Sequence, residues 1–236
     1  ICFTILLAFI ISNYVSASTT VVFTNNTATA IVDDGYNGTL ASMASSSVTV
    51  SGIPVGAVIR DIKVVTSMNH TWVGDLVLKL ESPDLSVLGL MSRPGLSETN
   101  DDGTGGYGLG DNLVTGYPVT FSDTGLFDAE VLGGFGDANN ICQDDGQCSY
   151  FINNGAITAP PYNFVDLYAG TINGTWTFYA GDAGLGDTGG IDSWTLEITY
   201  DIAPAHDDCS GAIRRNCRRT GTVSARDARW SFSNFG

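Results

Sequence analysis

Apolar and polar residues alternate with a period of two along much of the chain. Val58, Ile62, Val64, Thr66 and Met68 share one face against Asp61, Lys63 and Ser67. Leu76, Leu78 and Leu80 alternate with Val77, Lys79 and Glu81, and Trp176 and Phe178 with Thr175 and Thr177. Trp194, Leu196, Ile198 and Tyr200 alternate with Ser193, Thr195, Glu197 and Thr199. This period predicts half-buried strands and excludes helices over these stretches. Further short strands are expected at Thr20–Phe23, Ala28–Val32, Ser46–Ser51, Leu85–Met91 and Pro118–Phe121. Glycine and aspartate separate them, as in Pro83-Asp84 and Gly181-Asp182. Many short antiparallel strands with turn signals between them predict an all-β fold, a jelly-roll antiparallel β-sandwich with long Gly/Asp-rich loops.

Between Ser92 and Asn163 the alternation dissolves into long connections, among them Asn100–Gly106 and the segment from Cys142 to Cys148. Loops of this length inside a domain are functional, or ordered by a bridge or an ion. Residues 1–17 read as a signal peptide: an apolar run from Cys2 to Ile11, then the small-residue cleavage site Val15-Ser16-Ala17. The run is short for a membrane span, and no later stretch could form one. Residues 18–201 are the expected sandwich, and residues 202–236 a linker and the truncated start of a further segment. Removing the signal leaves Cys142, Cys148, Cys209 and Cys217, whose even number in an exported chain suggests two local bridges, Cys142–Cys148 and Cys209–Cys217. Secretion, to the extracellular medium or the cell surface, is the expected localisation.

Charge sharpens this division. The net charge is −15, but acids outnumber bases 24 to four as far as Ile213, while six arginines face one aspartate from Arg214 onward. The acidic body would repel phosphates and excludes nucleic acid as a partner. With 43% hydrophobic and 10% aromatic residues the chain can fill a core, which argues against disorder.

Catalytic candidates are few. The two histidines are His70, where one alternating stretch ends, and His206 in the linker. No Gly-x-Ser-x-Gly elbow surrounds a serine, and His70 reads as a turn or strand-edge residue. Metal chemistry has more support. Asp182, Asp187 and Asp192 recur at five-residue spacing through glycine-rich turns, and Asp101, Asp102 and Asp111, with Asn112, form a second acidic cluster and Asp144-Asp145 a third. Calcium takes oxygen ligands from flexible loops, so these aspartates are candidate calcium ligands. Zinc or iron is disfavoured by the scarcity of histidine. Asn25, Asn37, Asn69 and Asn173 head N-x-Thr sequons.

Two paired motifs carry a resemblance. The run Asn69-His70-Thr71-Trp72-Val73-Gly74-Asp75-Leu76, continued to Ser82-Pro83, resembles the H-T-x-x-G-D-L…S-P segment of the P domain, or Homo B domain, which accompanies kexin- and furin-like proprotein convertases and secreted bacterial proteases. Asn173-Gly174-Thr175-Trp176 and Gly186-Asp187-Thr188-Gly189…Trp194 are similar to its second half, in matching order from about Thr20 to Tyr200. The resemblance implies a non-catalytic jelly roll that supports a neighbouring protease, with Asp75, Asp182 and Asp187 at matching acidic positions as its calcium candidates. The function expected is thus a secreted, calcium-binding accessory or adhesion module of a larger extracellular protein, with neighbouring domains as partners. Two alternatives stand beside it: an appendage of a secreted subtilisin-like serine protease, and a carbohydrate-binding jelly roll offering Trp72, Tyr107, Tyr117 or Tyr162 to a glycan.

Overall fold

A computed structural model describes residues 18–134, 138–157 and 159–202. The expected signal peptide, the Cys209–Cys217 bridge, His206 and the arginine-rich tail lie outside the described residues. The strands are β1 (Thr19–Asn25), β2 (Thr29–Ala30), β3 (Ala44–Val50), β4 (Val58–His70), β5 (Leu76–Glu81), β6 (Val87–Ser92), β7 (Val119–Phe121), β8 (Phe127–Asp128), β9 (Ser149–Phe151), β10 (Gly174–Asp182) and β11 (Gly189–Asp201). They form two sheets, one ordered β1-β11-β4-β7-β9-β8 with β2 also paired to β11, the other ordered β3-β10-β5-β6. With the short β2, β8 and β9 set aside, the remaining strands in chain order lie first–eighth–third–sixth in one sheet and second–seventh–fourth–fifth in the other. That order is the jelly roll of two Greek keys, so the expected all-β sandwich is the fold the chain adopts.

The alternating residues meet between the sheets. Ile62, Val64 and Met68 of β4 and Leu196 and Ile198 of β11 face Leu76, Leu78 and Leu80 of β5 and Trp176 and Phe178 of β10. Phe178 and Trp194 stack with centroids 5.6 Å apart. Each indole N–H is satisfied, Trp176 on the Ile172 carbonyl at 2.8 Å and Trp194 on the Ser46 hydroxyl at 3.0 Å. Both tryptophans are 0–1% exposed, as expected of core anchors.

Three local departures from the expected pattern have physical causes. Val58 is 45% exposed while Ile59 is buried, because a register shift opposite Thr199 and Tyr200 inserts one residue into β4 and reverses the faces. A second shift between Ile191 and Ser193 leaves Asp192 as the extra residue and turns both Ile191 and Trp194 inward. Strands β8 and β9 were not legible in the glycine-rich region. They extend the sheet by parallel pairs, β7–β9 and β8–β9, because the chain returns through a long excursion rather than a hairpin.

The outer face of β5 is buried as well. Val77 packs with Tyr36 and Met43 in a small second cluster. Beside it the Lys79 ammonium donates to Asp101 at 2.5 Å and to the Tyr36 hydroxyl at 2.7 Å.

Candidate functional site

Two crossovers between the sheets run side by side at one end of the sandwich. The first leaves β4 at His70, makes a 3-10 turn at Val73–Asp75 and enters β5 at Leu76. The second leaves β10 at Asp182 and enters β11 at Gly189. Pairing of Asp182 with Leu76 in one sheet and of Gly189 with His70 in the other locks them together. Two sequence motifs separated by about a hundred residues thereby become neighbours.

The side chains follow from this closure. The inward face of β4 continues through Thr66 and Met68 to His70, whose ring is 0% exposed. Its Nε2 lies 3.1 Å from Asp182 Oδ2, and its Nδ1 faces the N–H and carbonyl of Trp72 at 3.2 and 3.0 Å. A ring that accepts the Trp72 N–H at Nδ1 carries its proton on Nε2 and donates to Asp182. The other Asp182 oxygen accepts the Gly184 N–H at 2.9 Å. Thr71 donates to Asp187 at 2.7 Å, and Gly186 N–H donates to Asp33 at 2.9 Å, which pins the loop between the two motifs.

Asp75 lies between these groups. It is 1% exposed, and neither carboxylate oxygen has a hydrogen-bond partner. Its main-chain carbonyl accepts the Ala183 N–H at 2.9 Å, so the backbone is satisfied while the side chain is not. Burial pushes its carboxyl up to about 6; Asp182 and Asp187 push the same way, and His70 and Arg93 oppose them. A Cβ on Gly184 would stand 2.1 Å from Asp75 Oδ2, so only glycine lets the second crossover pass.

Of the expected calcium ligands, Asp75, Asp182 and Asp187 are thus brought together, and the others take separate places. Asp192, at the bulge of β11, accepts from Asn69 at 2.9 Å and Thr115 at 2.6 Å. Asp101 is bound by Lys79 and Tyr36, and Asp102 by the N–H and hydroxyl of Thr104. Asp111 is 1% exposed; its carboxylate accepts the Asn139 N–H at 3.0 Å and its carbonyl the Val73 N–H at 2.9 Å. Asp144 and Asp145 lie inside the loop closed by the Cys142–Cys148 bridge, one of the two expected, and accept the main-chain N–H groups of Asn140, which precedes the loop, and of Cys142 and Gln147. Among the described residues no three His, Cys, Asp or Glu side chains form a ready cage for a metal. The two unpaired Asp75 oxygens nevertheless fit a hard, oxygen-seeking ion in donor chemistry, with carbonyls and water to complete the shell.

Sequence reasoning missed the His70–Asp182 pair, although the period of β4, carried two residues further, turns His70 inward. It also missed a groove of about 410 Å³ elsewhere on the molecule, lined by Asp123, Phe151, Ile152, Tyr162, Asn163 and Val165. Trp72, Tyr107 and Tyr117 do not line it. No helix among the described residues is long and apolar enough to cross a membrane.

No family model matches the chain, and no curated protein sequence does. Among solved structures the chain is similar to the serine protease of Aeromonas sobria in complex with its chaperone, at 16% identity and a TM-score of 0.44, over 79% of this chain and 28% of that one. It is also similar to the same organism's serine protease described by itself, at 15% identity and a TM-score of 0.42, over 80% of this chain and 28% of that one. The chain therefore spans well under a third of the length of the structures it matches.

Proposed function

We propose that this chain is a non-catalytic accessory β-sandwich of the P-domain type, a module of a larger secreted protein whose partner is a neighbouring domain, a serine protease in the arrangement the resemblance implies. The observation that carries this reading is the state of His70. A general acid or base must reach the proton it moves. The His70 ring, the one imidazole among the described residues, is 0% exposed and joins the two crossovers through Asp182 and the Trp72 backbone. Its role is structural. The Cys142–Cys148 bridge fits an oxidising compartment and so supports secretion. The test is direct: the purified full chain should hydrolyse neither denatured protein nor model esters, and His70→Ala should lower its melting temperature. Turnover that disappears in the His70→Ala variant would overturn the reading.

The groove favours a second reading, carbohydrate binding. Phe151, Tyr162 and Val165 are 41%, 47% and 52% exposed, and they converge there beside the polar side chains of Asp123 and Asn163. Exposed aromatic faces flanked by hydrogen-bonding groups suit a sugar ring. A glycan array probed with the full chain should then show signals that Tyr162→Ala removes; a blank array rejects this second reading.

A further inference from the structure

We propose that β1 is the contact strand of a symmetric homodimer, pairing antiparallel along its free edge with β1 of a second copy of this chain. The inference goes beyond the accessory role and does not depend on which domain the module serves. A strand at the edge of a sheet presents main-chain donors and acceptors that can pair with another chain. With the two-residue β2 and β8 set aside, the edge strands are β1, β3 and β6. β6 is protected: it is buried along nearly its whole length, and the Asn153 N–H donates to the Leu90 carbonyl at 3.1 Å. β1 and β3 are not. Among the described residues each has a strand neighbour on one side only, and the two flank an open groove of about 570 Å³. Neither of these seven-residue strands carries a charge, a proline or a bulge, the devices that keep edges apart.

The sequence of β1 selects the partner. β3 contains three consecutive serines, Ser45–Ser47, whereas Thr19–Thr24 are all residues enriched in strands. Outward from Val22 the pattern is nearly the same in both directions, Val21 matching Phe23 and Thr20 matching Thr24. A two-fold axis at Val22 therefore sets Val22 on Val22, Val21 on Phe23 and Thr20 on Thr24, cross-strand pairs that favour a ladder. The faces agree with this register. Thr20, Val22 and Thr24 are exposed, while Val21 and Phe23 are half-buried against the core, which the second copy would extend past the edge. The strand is already fixed in place, because the hydroxyls of Thr20 and Thr24 bond to those of Thr199 and Thr195 at 2.8 and 2.9 Å. Charge leads to the same surface. In a chain of net charge −15, an uncharged edge lets two copies meet without setting acid against acid along the seam.

A single strand pair buries little surface, so the association belongs to the weak class and is read at high concentration. In sedimentation equilibrium of the full chain from about 10 μM to about 1 mM, the mean mass should rise toward twice the monomer value. The rise should be steeper in about 0.15 M sodium chloride than in about 0.01 M, because screening relieves the repulsion between the acidic bodies. Val22→Lys sets two like charges across the axis and should keep the chain monomeric, with its melting temperature in dilute solution near the native one. Val22→Cys should oxidise to a covalent dimer faster than Thr20→Cys, which would face Thr24 of the other copy, with the native chain giving the background from its own cysteines. This second comparison decides the register even if Val22→Lys fails to fold. A native chain that stays monomeric throughout rejects the proposal and leaves the edge to a strand of another protein. A dimer that persists in Val22→Lys, or equal oxidation of the two cysteine variants, places the contact elsewhere and equally overturns it. Neither result bears on the hydrolysis test of His70, so the two readings fail separately.

Discussion

The guanidinium of Arg93 lies 1% exposed beneath the loop that follows β6, donating to the Thr104 carbonyl at 2.8 Å and to the Gly106 carbonyl. Glu98 lies 3.5 Å from it and accepts the Ser92 hydroxyl at 2.5 Å; burial raises its carboxyl above the usual range, against the pull of Ser92 and Arg93. The Asn100–Gly106 loop is thus ordered by an internal cation, with Lys79 holding Asp101 next to it. Removing one partner of a buried pair leaves the other charge uncompensated, so Arg93→Ala should cost about 3–5 kcal/mol in urea unfolding. Arg93→Met combined with Glu98→Gln should recover much of that loss, since replacing both charges removes the uncompensated one. A double variant as unstable as the single one would show that the carbonyl contacts of Arg93 dominate. Nothing in Ser92-Arg93-Pro94-Gly95 announces a buried arginine; the pattern fits a solvated turn equally well. Burial of a charge is decided by what folds over it, and that is not local information.

At the scale of elements, the long excursion between β7 and β9 ends in the loop closed by the Cys142–Cys148 bridge. The bridge joins residues six apart, and the Cys148 carbonyl accepts the Thr120 N–H at 2.8 Å, which starts the parallel pairing of β9 on β7. A loop this short restricts the unfolded chain little, so replacing both cysteines by serine should lower stability by less than about 3 kcal/mol. The effect should be concentrated locally: amide exchange in Ser149–Phe151 should accelerate more than in β4 or β11. Uniform acceleration across both sheets would mean that the bridge supports the whole fold. Where an element obeys a strict period, as Trp194 to Tyr200 does, the sequence shows it with its buried face. The bulges at β4 and at Asp192 break the period, and β8 and β9 are too short to establish one.

Over the whole molecule, each cation among the described residues already faces an acid: Arg60 with Asp201 at 2.6 Å, Lys63 with Asp61 at 3.1 Å, Lys79 with Asp101 and Arg93 with Glu98. The remaining acids have no lysine or arginine partner among the described residues and repel one another. Raising salt from about 0.01 M to 0.15 M shortens the screening length from about 30 Å to about 8 Å, so the melting temperature of the chain should rise with sodium chloride. A fall would show that ion pairs outweigh the general repulsion. The fold class needed only the sequence, because alternation, aromatic anchors and turn residues are local properties that all favour the same sandwich. The acidic residue types near Asp75 and Asp182 were legible for the same reason. Only the tertiary structure decided which aspartates are bound by protein and left the buried Asp75 carboxylate without a hydrogen-bond partner. The contacts that make that distinction join residues about a hundred positions apart, and they exist only once the two crossovers close against each other.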